Sequence, residues 1–315
     1  LRPVGIAHRD EVDAHRLEKG EMAALWQRLG DAAGTVDVGL SRVRIDPGRL
    51  STPPHSHSVS EEIVYVLGGG GLSWQDEAVH ELRPGDCVVH VADHEEHTLR
   101  AGPEGLDVLI FGTRARAELG WLPRSRAVRL GWPWVEGRDD DPWDVEATLG
   151  PLAFGEPAPR PPTIVNVDEC PDDPEEIRSK ALAEVAGSVR AGLNWLELKP
   201  GEHSSAPHCH SAEEEVFVVL EGAGTLELWP SPRAAERGAR REDVPVRAGH
   251  VVARPPGTRV GHRFTAGPDG MTMLAYGTRE PNDIAYYPRS NAIFFRGVGV
   301  IGRLAPLRYG DGEDD

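Results

Sequence analysis

The feature that most constrains this chain is an internal duplication. Slid against itself by 153 residues, the first part of the sequence repeats. Gly34 falls on Gly187, Pro47-Gly48 on Pro200-Gly201, His55 and His57 on His208 and His210, and Glu61-Glu62 on Glu214-Glu215. Gly69 and Gly71 fall on Gly222 and Gly224. A later part repeats at an offset of 165, where His97 meets His262, Gly102-Pro103 meets Gly267-Pro268, and Gly112 to Arg114 meets Gly277 to Arg279. The change of offset places about a dozen extra residues in the second copy around Pro230 to Glu242, a charged segment that predicts a surface loop. The chain therefore divides into two like units, residues 1–150 and 163–309. A Pro-rich linker at 151–162 joins them, and an acidic tail at 310–315 follows.

Each unit reads as β structure. The 36 glycines and 27 prolines separate short β-branched runs such as Glu62 to Leu67, Cys87 to Val91 and Leu106 to Phe111. Many short strands between Gly/Pro turns predict a sandwich or barrel, and Gly68 to Gly71 predicts a hairpin turn. Two Ala/Leu/Glu-rich segments, Met22 to Ala33 and Pro174 to Ala186, predict helices. On the run from Glu62, residues Val64 and Val66 share one face and Ile63, Tyr65 and Leu67 the other. The second copy repeats this with Phe217 and Val219 against Val216, Val218 and Leu220. A strand apolar on both faces is covered on both, which predicts two barrels packed on one another and admits a homodimer as a further cover.

Charge narrows the partners. With 51 acidic residues against 34 basic ones the formal charge is -17, and no local basic patch stands out. Nucleic acid and anionic membrane are excluded as expected partners, and no apolar run approaches the ~20 residues that span a bilayer. A cytoplasmic protein acting on a small molecule is the expectation. Cys87, Cys170 and Cys209 cannot all pair and lack zinc-finger spacing.

The chemistry lies in the repeated polar residues. Each copy holds a His-x-His, a Glu five residues after the second His, and a later single His. Histidines two apart on a strand present both rings to one face. Three neutral imidazoles and a carboxylate around one cavity suit a divalent transition metal, with positions left for water or substrate. Cys209, between two such histidines, faces the other way and predicts a small buried hydrophobe.

These residues resemble the two motifs of the cupin superfamily. Pro47-Gly48, His55, His57, Glu62 to Gly69, Arg83 to Asp86 and His97 match in the first copy. Pro200-Gly201, His208, His210, Glu215 to Gly222, Ala248-Gly249, Pro255 to Gly257 and His262 match in the second. The chain as a whole resembles a bicupin. The resemblance implies an all-β fold of two tandem double-stranded β-helix (jelly-roll) barrels with short flanking helices. It also implies up to one metal per barrel (Fe, Mn, Ni or Zn), held by His55, His57, Glu62 and His97 and by His208, His210, Glu215 and His262.

Several positions stay open at this stage. His90 and His94 compete with His97 as fourth ligand, although the ungapped match of His97 to Pro103 with His262 to Pro268 favours His97. Glu61 and Glu214 are expected to be exposed at a strand entrance. Arg42 and Arg44 alternate on one strand, where the second copy has Trp195 and Glu197. They are read either as a substrate-binding wall for an anion or as an outer ion pair. The leading expectation is a metal-dependent enzyme of dioxygenase type, acting on a small polar or anionic substrate in the first barrel. An isomerase or lyase, and a non-catalytic ligand binder, are the alternatives.

Overall fold

The computed structural model describes residues 5–92, 95–115, 117–130, 140–173, 178–305, 307 and 311. His94, the start of the second expected helix at 174–177 and most of the acidic tail lie outside the described residues.

Each unit is a barrel built around one long antiparallel pair. Strand Glu62–Gln75 runs beside His97–Thr113 from Glu62↔Gly112 to Gln75↔His97. In the second unit Glu215–Pro230 runs beside Val260–Thr278, from Glu215↔Gly277 to Pro230↔Val260. Val38–Ile45 and Ala191–Leu198 flank these pairs on one side, and Asp86–His90 and His250–Arg254 flank them on the other. Smaller sheets close the barrels. Ser56–His57 pairs with Leu119–Leu122, and Cys209–His210 with Ile284–Tyr287.

The glycine run is not a hairpin turn. Gly68 to Gly71 lies within strand Glu62–Gln75, at two register shifts where the strand bends to stay with its partner. Gly69 has φ +73°, and a Cβ there would meet the Gly105 carbonyl oxygen at 2.2 Å. Gly222 repeats this against Gly270 at 2.2 Å. Close backbone approach, not a chain reversal, is what these glycines permit.

The first expected helix is also corrected. Met22–Gln27 is a strand, paired with Val38–Ile45, and only Leu29–Ala33 is helical. Helix propensity is a weak prior, and pairing between Val38–Ile45 and His15–Lys19 buries Met22, Ala23 and Ala24. In the second copy Ser179–Ala181 is a strand and the helix is Leu182–Val185. The extra segment of the second copy carries a short helix, Pro232–Glu236, with no buried residue. Near the end of the first unit, Pro142–Thr148 forms a helix capped by Asp141.

Three apolar clusters organise the interior. Val43, Ile45, Val64, Val66 and Val108 fill the first barrel, and Phe217, Val219, Phe264 and Met273 fill the second. The third cluster lies between barrels, where Ile63, Tyr65 and Phe111 meet Val216, Val218 and Tyr276. Phe111 and Tyr276 stack with ring centroids 5.0 Å apart. The doubly apolar strands thus have one face in a barrel core and the other against the second barrel, as their pattern predicts. The barrels also trade strands. Gly5–His8 joins the second barrel along His250–Arg254, and Ile164–Asn166 joins the first along Asp86–His90.

Candidate metal centres

Backbone pairing brings the first-barrel histidines together. His55 and His97 face each other in an antiparallel bridge, each N–H donating to the other's carbonyl at 3.1 and 2.9 Å. His57 arrives on the small sheet, and Glu62 opens the long strand opposite Gly112 and His90. One donor atom from each of His55, His57, Glu62 and His97 lies within 4.8 Å of the others.

The ring orientations suit an ion. His55 Nδ1 donates to the Pro53 carbonyl at 3.0 Å, and His97 Nδ1 to the Glu95 carbonyl at 3.1 Å, which turns both Nε2 atoms inward. Nε2 of His57 and of His97 are buried without a hydrogen-bond partner, each 3.7 Å from a Glu62 oxygen. That spacing is too long for a hydrogen bond and fits donors arranged around an ion at about 2.0–2.2 Å from each. Burial, then the neighbouring imidazoles, holds His55 well below its ordinary pKa, and burial and His90 lower His97. Burial raises the Glu62 pKa, but contacts with His57 and His97 outweigh it and hold the carboxylate well below its usual range. Burial opposes a charge on His57, but Glu62 outweighs it and raises its pKa. His55 and His97, held neutral, and the ionised Glu62 are thus in the forms a metal binds.

Two supporting groups escaped the sequence reading. Glu118 accepts hydrogen bonds from the N–H groups of Ser58, Val59 and Ser60 at 2.7–3.2 Å and stands 3.8 Å from His57 Nδ1. Asp283, which is Glu118 at the offset of 165, accepts from Ser211, Ala212 and Glu213 and lies 2.7 Å from His210 Nδ1. The repeated offset was the available signal. His90 is buried and stacks on His97 at 4.0 Å, with Nδ1 against Glu95, so it backs the ligand from behind.

The second centre is arranged differently. His208, Glu215 and His262 group within 4.8 Å, while His210 groups through its other nitrogen with Glu213 and Asp283. His210 Nε2 still lies 3.3 Å from Glu215. Burial opposes a charge on His210, but Glu215 and Asp283 outweigh it and raise its pKa to about 10. Burial pushes Glu213 up to about 7. Opposite Glu215 stands buried Arg254, at the place where His90 opposes Glu62 in the first barrel. A guanidinium beside Glu215 already offsets its charge and repels a dication.

The first centre opens into a cavity of about 1210 Å³. Trp26 and Trp143 form part of its wall, together with Arg28, Arg114, Glu118 and Arg129. Arg28 and Arg129 stand near enough that, after burial, Arg28 is the next cause lowering the Arg129 pKa. The arginines expected from sequence lie elsewhere. Arg42 makes a two-pronged pair with Asp107 at 2.6–3.0 Å, and Arg44 is exposed. Both share the strand face of Val38 and Leu40, which packs toward the second barrel, and neither lines this cavity. Glu61 and Glu214 are not exposed either, being 1% and 0% accessible. Cys209 is buried, and burial raises its thiol pKa to about 11.

Residues 41–110 and 194–275 each match the family model described as the Cupin domain, one match per barrel. The chain is a bicupin. Among solved structures this bicupin is similar to oxalate decarboxylase from Lactobacillus farciminis in its formate complex, at TM-score 0.57 and 14% identity over 87% of this chain and 86% of that one. Bacillus subtilis oxalate decarboxylase at pH 4.6 superposes at TM-score 0.57 and 13% identity, covering 88% of this chain and 78% of that one. A further structure of the B. subtilis enzyme concerns its Mn(II) centres. Likeness at this identity concerns the fold. Two auxin-binding proteins of Nicotiana tabacum are 33% and 35% identical over 85 and 86 residues, 26% of this bicupin and 45% of each relative. The match thus spans less than half the length of those relatives. Among the described residues no helix is long and apolar enough to cross a membrane.

Proposed function

We propose that this bicupin is a metal-dependent lyase that works on a small organic anion in its first barrel. The observation that carries this reading is the three-His, one-Glu set of His55, His57, Glu62 and His97, of which His55, His57 and Glu62 line the 1210 Å³ cavity that also holds Arg28 and Arg129. A metal held there, Mn being the leading choice, would polarise a bound carboxylate or carbonyl. The chain's own residues do the rest. Arg28 and Arg129 attract the anion and orient it. Glu118 holds the rim at Ser58 to Ser60 and places its negative charge 3.8 Å from the His57 ring. His90 and Glu95 pack behind His97. Trp26 and Trp143 supply apolar wall and exclude water.

The lyase alternative is preferred to a dioxygenase because the similar bicupin structures are decarboxylases. The cavity leaves room for a substrate well beyond a two-carbon acid. Its match to auxin-binding proteins favours a second reading, ligand binding without turnover.

Apo-protein loaded separately with Mn, Fe, Ni and Zn, then offered a panel of mono- and dicarboxylates, tests the proposal. Carbon dioxide release without net oxygen uptake is expected, abolished by Glu62→Ala and retained in Glu215→Ala. Stoichiometric oxygen consumption would replace the lyase by a dioxygenase, and saturable binding with no product would leave a binder. Loss of turnover in Glu215→Ala alone would move the chemistry to the second barrel.

A further inference from the structure

The carboxylates immediately before the two ligand glutamates are buried at the contact between barrels. Glu61, from the first barrel, accepts hydrogen bonds from Ser188 Oγ at 2.5 Å, Val189 N at 3.0 Å and Arg190 N at 3.0 Å, all in the second barrel. Glu214, from the second barrel, accepts from Val36 N, Asp37 N and Val38 N of the first at 2.6–3.1 Å. The two latches are the same device used twice. Subtracting 153 turns Val189 and Arg190 into Val36 and Asp37, and Glu214 into Glu61.

Each latch is one peptide bond from a ligand. At the strand mouth Glu62 begins its pairing with Gly112 and His90, so few backbone bonds hold the residue before it. Glu61 ties that free end to the turn of the other barrel. We infer that Glu61 and Glu214 are positioning residues, each setting the placement of the neighbouring ligand carboxylate by anchoring in the opposite barrel, so that each centre is completed by its neighbour. Three donors converging on each buried carboxylate are strong enough to set that placement, and groups that orient a ligand typically change metal affinity about 10–100-fold. The inference rests on the metal reading of the first centre and is independent of the reaction.

The test uses the full chain with Glu215→Ala, which leaves the first centre alone, and reads Mn(II) affinity of the apo-protein by calorimetry together with the melting temperature. Glu61→Gln in this background is expected to weaken Mn(II) binding about tenfold. Ser188→Ala, a change in the other barrel, should weaken it less, and the double variant should be no weaker than Glu61→Gln because Ser188 acts through Glu61. A merely structural latch would lower the melting temperature and leave affinity unchanged, which overturns the inference. Should Glu61→Gln fail to fold, parental affinity in Ser188→Ala overturns it as well. A parent that binds no Mn(II) would instead remove the metal reading, and the inference with it.

Discussion

At the residue scale the first centre depends on groups outside the four-residue set. Glu118 accepts from three rim N–H groups and stands 3.8 Å from the ring of His57. Glu118→Ala leaves the Val59 and Ser60 donors unpaired while Ser58 N keeps the Leu119 carbonyl, and we expect a stability loss of about 2–3 kcal/mol with an Mn(II) affinity about tenfold lower, read by denaturant unfolding and calorimetry. The charge network around Glu227 belongs to this scale too. Although burial raises its pKa, bonds from Arg263, Thr265 and Trp229 outweigh that and depress it to about 2. A depressed carboxylate contributes stability above its unfolded pKa and loses it as pH falls through the folded value. Melting temperature should therefore drop between about pH 4.5 and pH 2, and Glu227→Gln should flatten that limb while lowering stability at pH 7. An unchanged acid limb in Glu227→Gln would assign it to other groups.

At the scale of elements, the bent strand pairs are the part most exposed to substitution. Gly69 and Gly222 combine positive φ with a carbonyl oxygen where a Cβ would sit. Gly48 has φ +71° but open space around it. Gly69→Ala and Gly222→Ala should each destabilise by more than about 3 kcal/mol, whereas Gly48→Ala should cost about 1 kcal/mol. Urea unfolding of the three variants separates steric overlap from backbone strain; equal losses would mean that φ alone decides. The strand Met22–Gln27 teaches a related point. Its Ala, Leu and Met content favours a helix in isolation, but a free edge at Val43 to Ile45 offers backbone partners and a buried face. Tertiary pairing outweighs a few tenths of a kcal/mol per residue of local preference.

At the scale of the whole molecule the barrels are mutually dependent. Each receives a strand from the other unit, and both present apolar faces to the shared cluster around Phe111 and Tyr276. Residues 1–150 expressed alone would lack Ile164–Asn166 and expose Ile63, Tyr65 and Phe111. We expect that fragment to aggregate, and co-expression with residues 151–315 to restore a soluble complex in size-exclusion chromatography. A soluble, cooperatively unfolding 1–150 monomer would contradict this.

By itself the sequence determined the duplication, the β class, the faces of the central strands and the four residues that the fold brings together in the first barrel. These follow from periodicity and repeated spacing: alternation assigns faces, and a matched offset identifies equivalent positions such as His97 and His262. It was silent on what depends on distance between remote segments. That Arg42 pairs with Asp107 while Arg28 and Arg129 approach the first centre is decided by how strands are laid side by side. That Glu61 and Glu214 are buried rather than exposed is decided by where the barrels touch. Only the tertiary structure also makes the two centres unequal, because it brings Arg254 opposite Glu215 and His90 opposite Glu62. Local chemistry is written along the chain, but the charge and space around a site come from residues that meet only when the chain is folded.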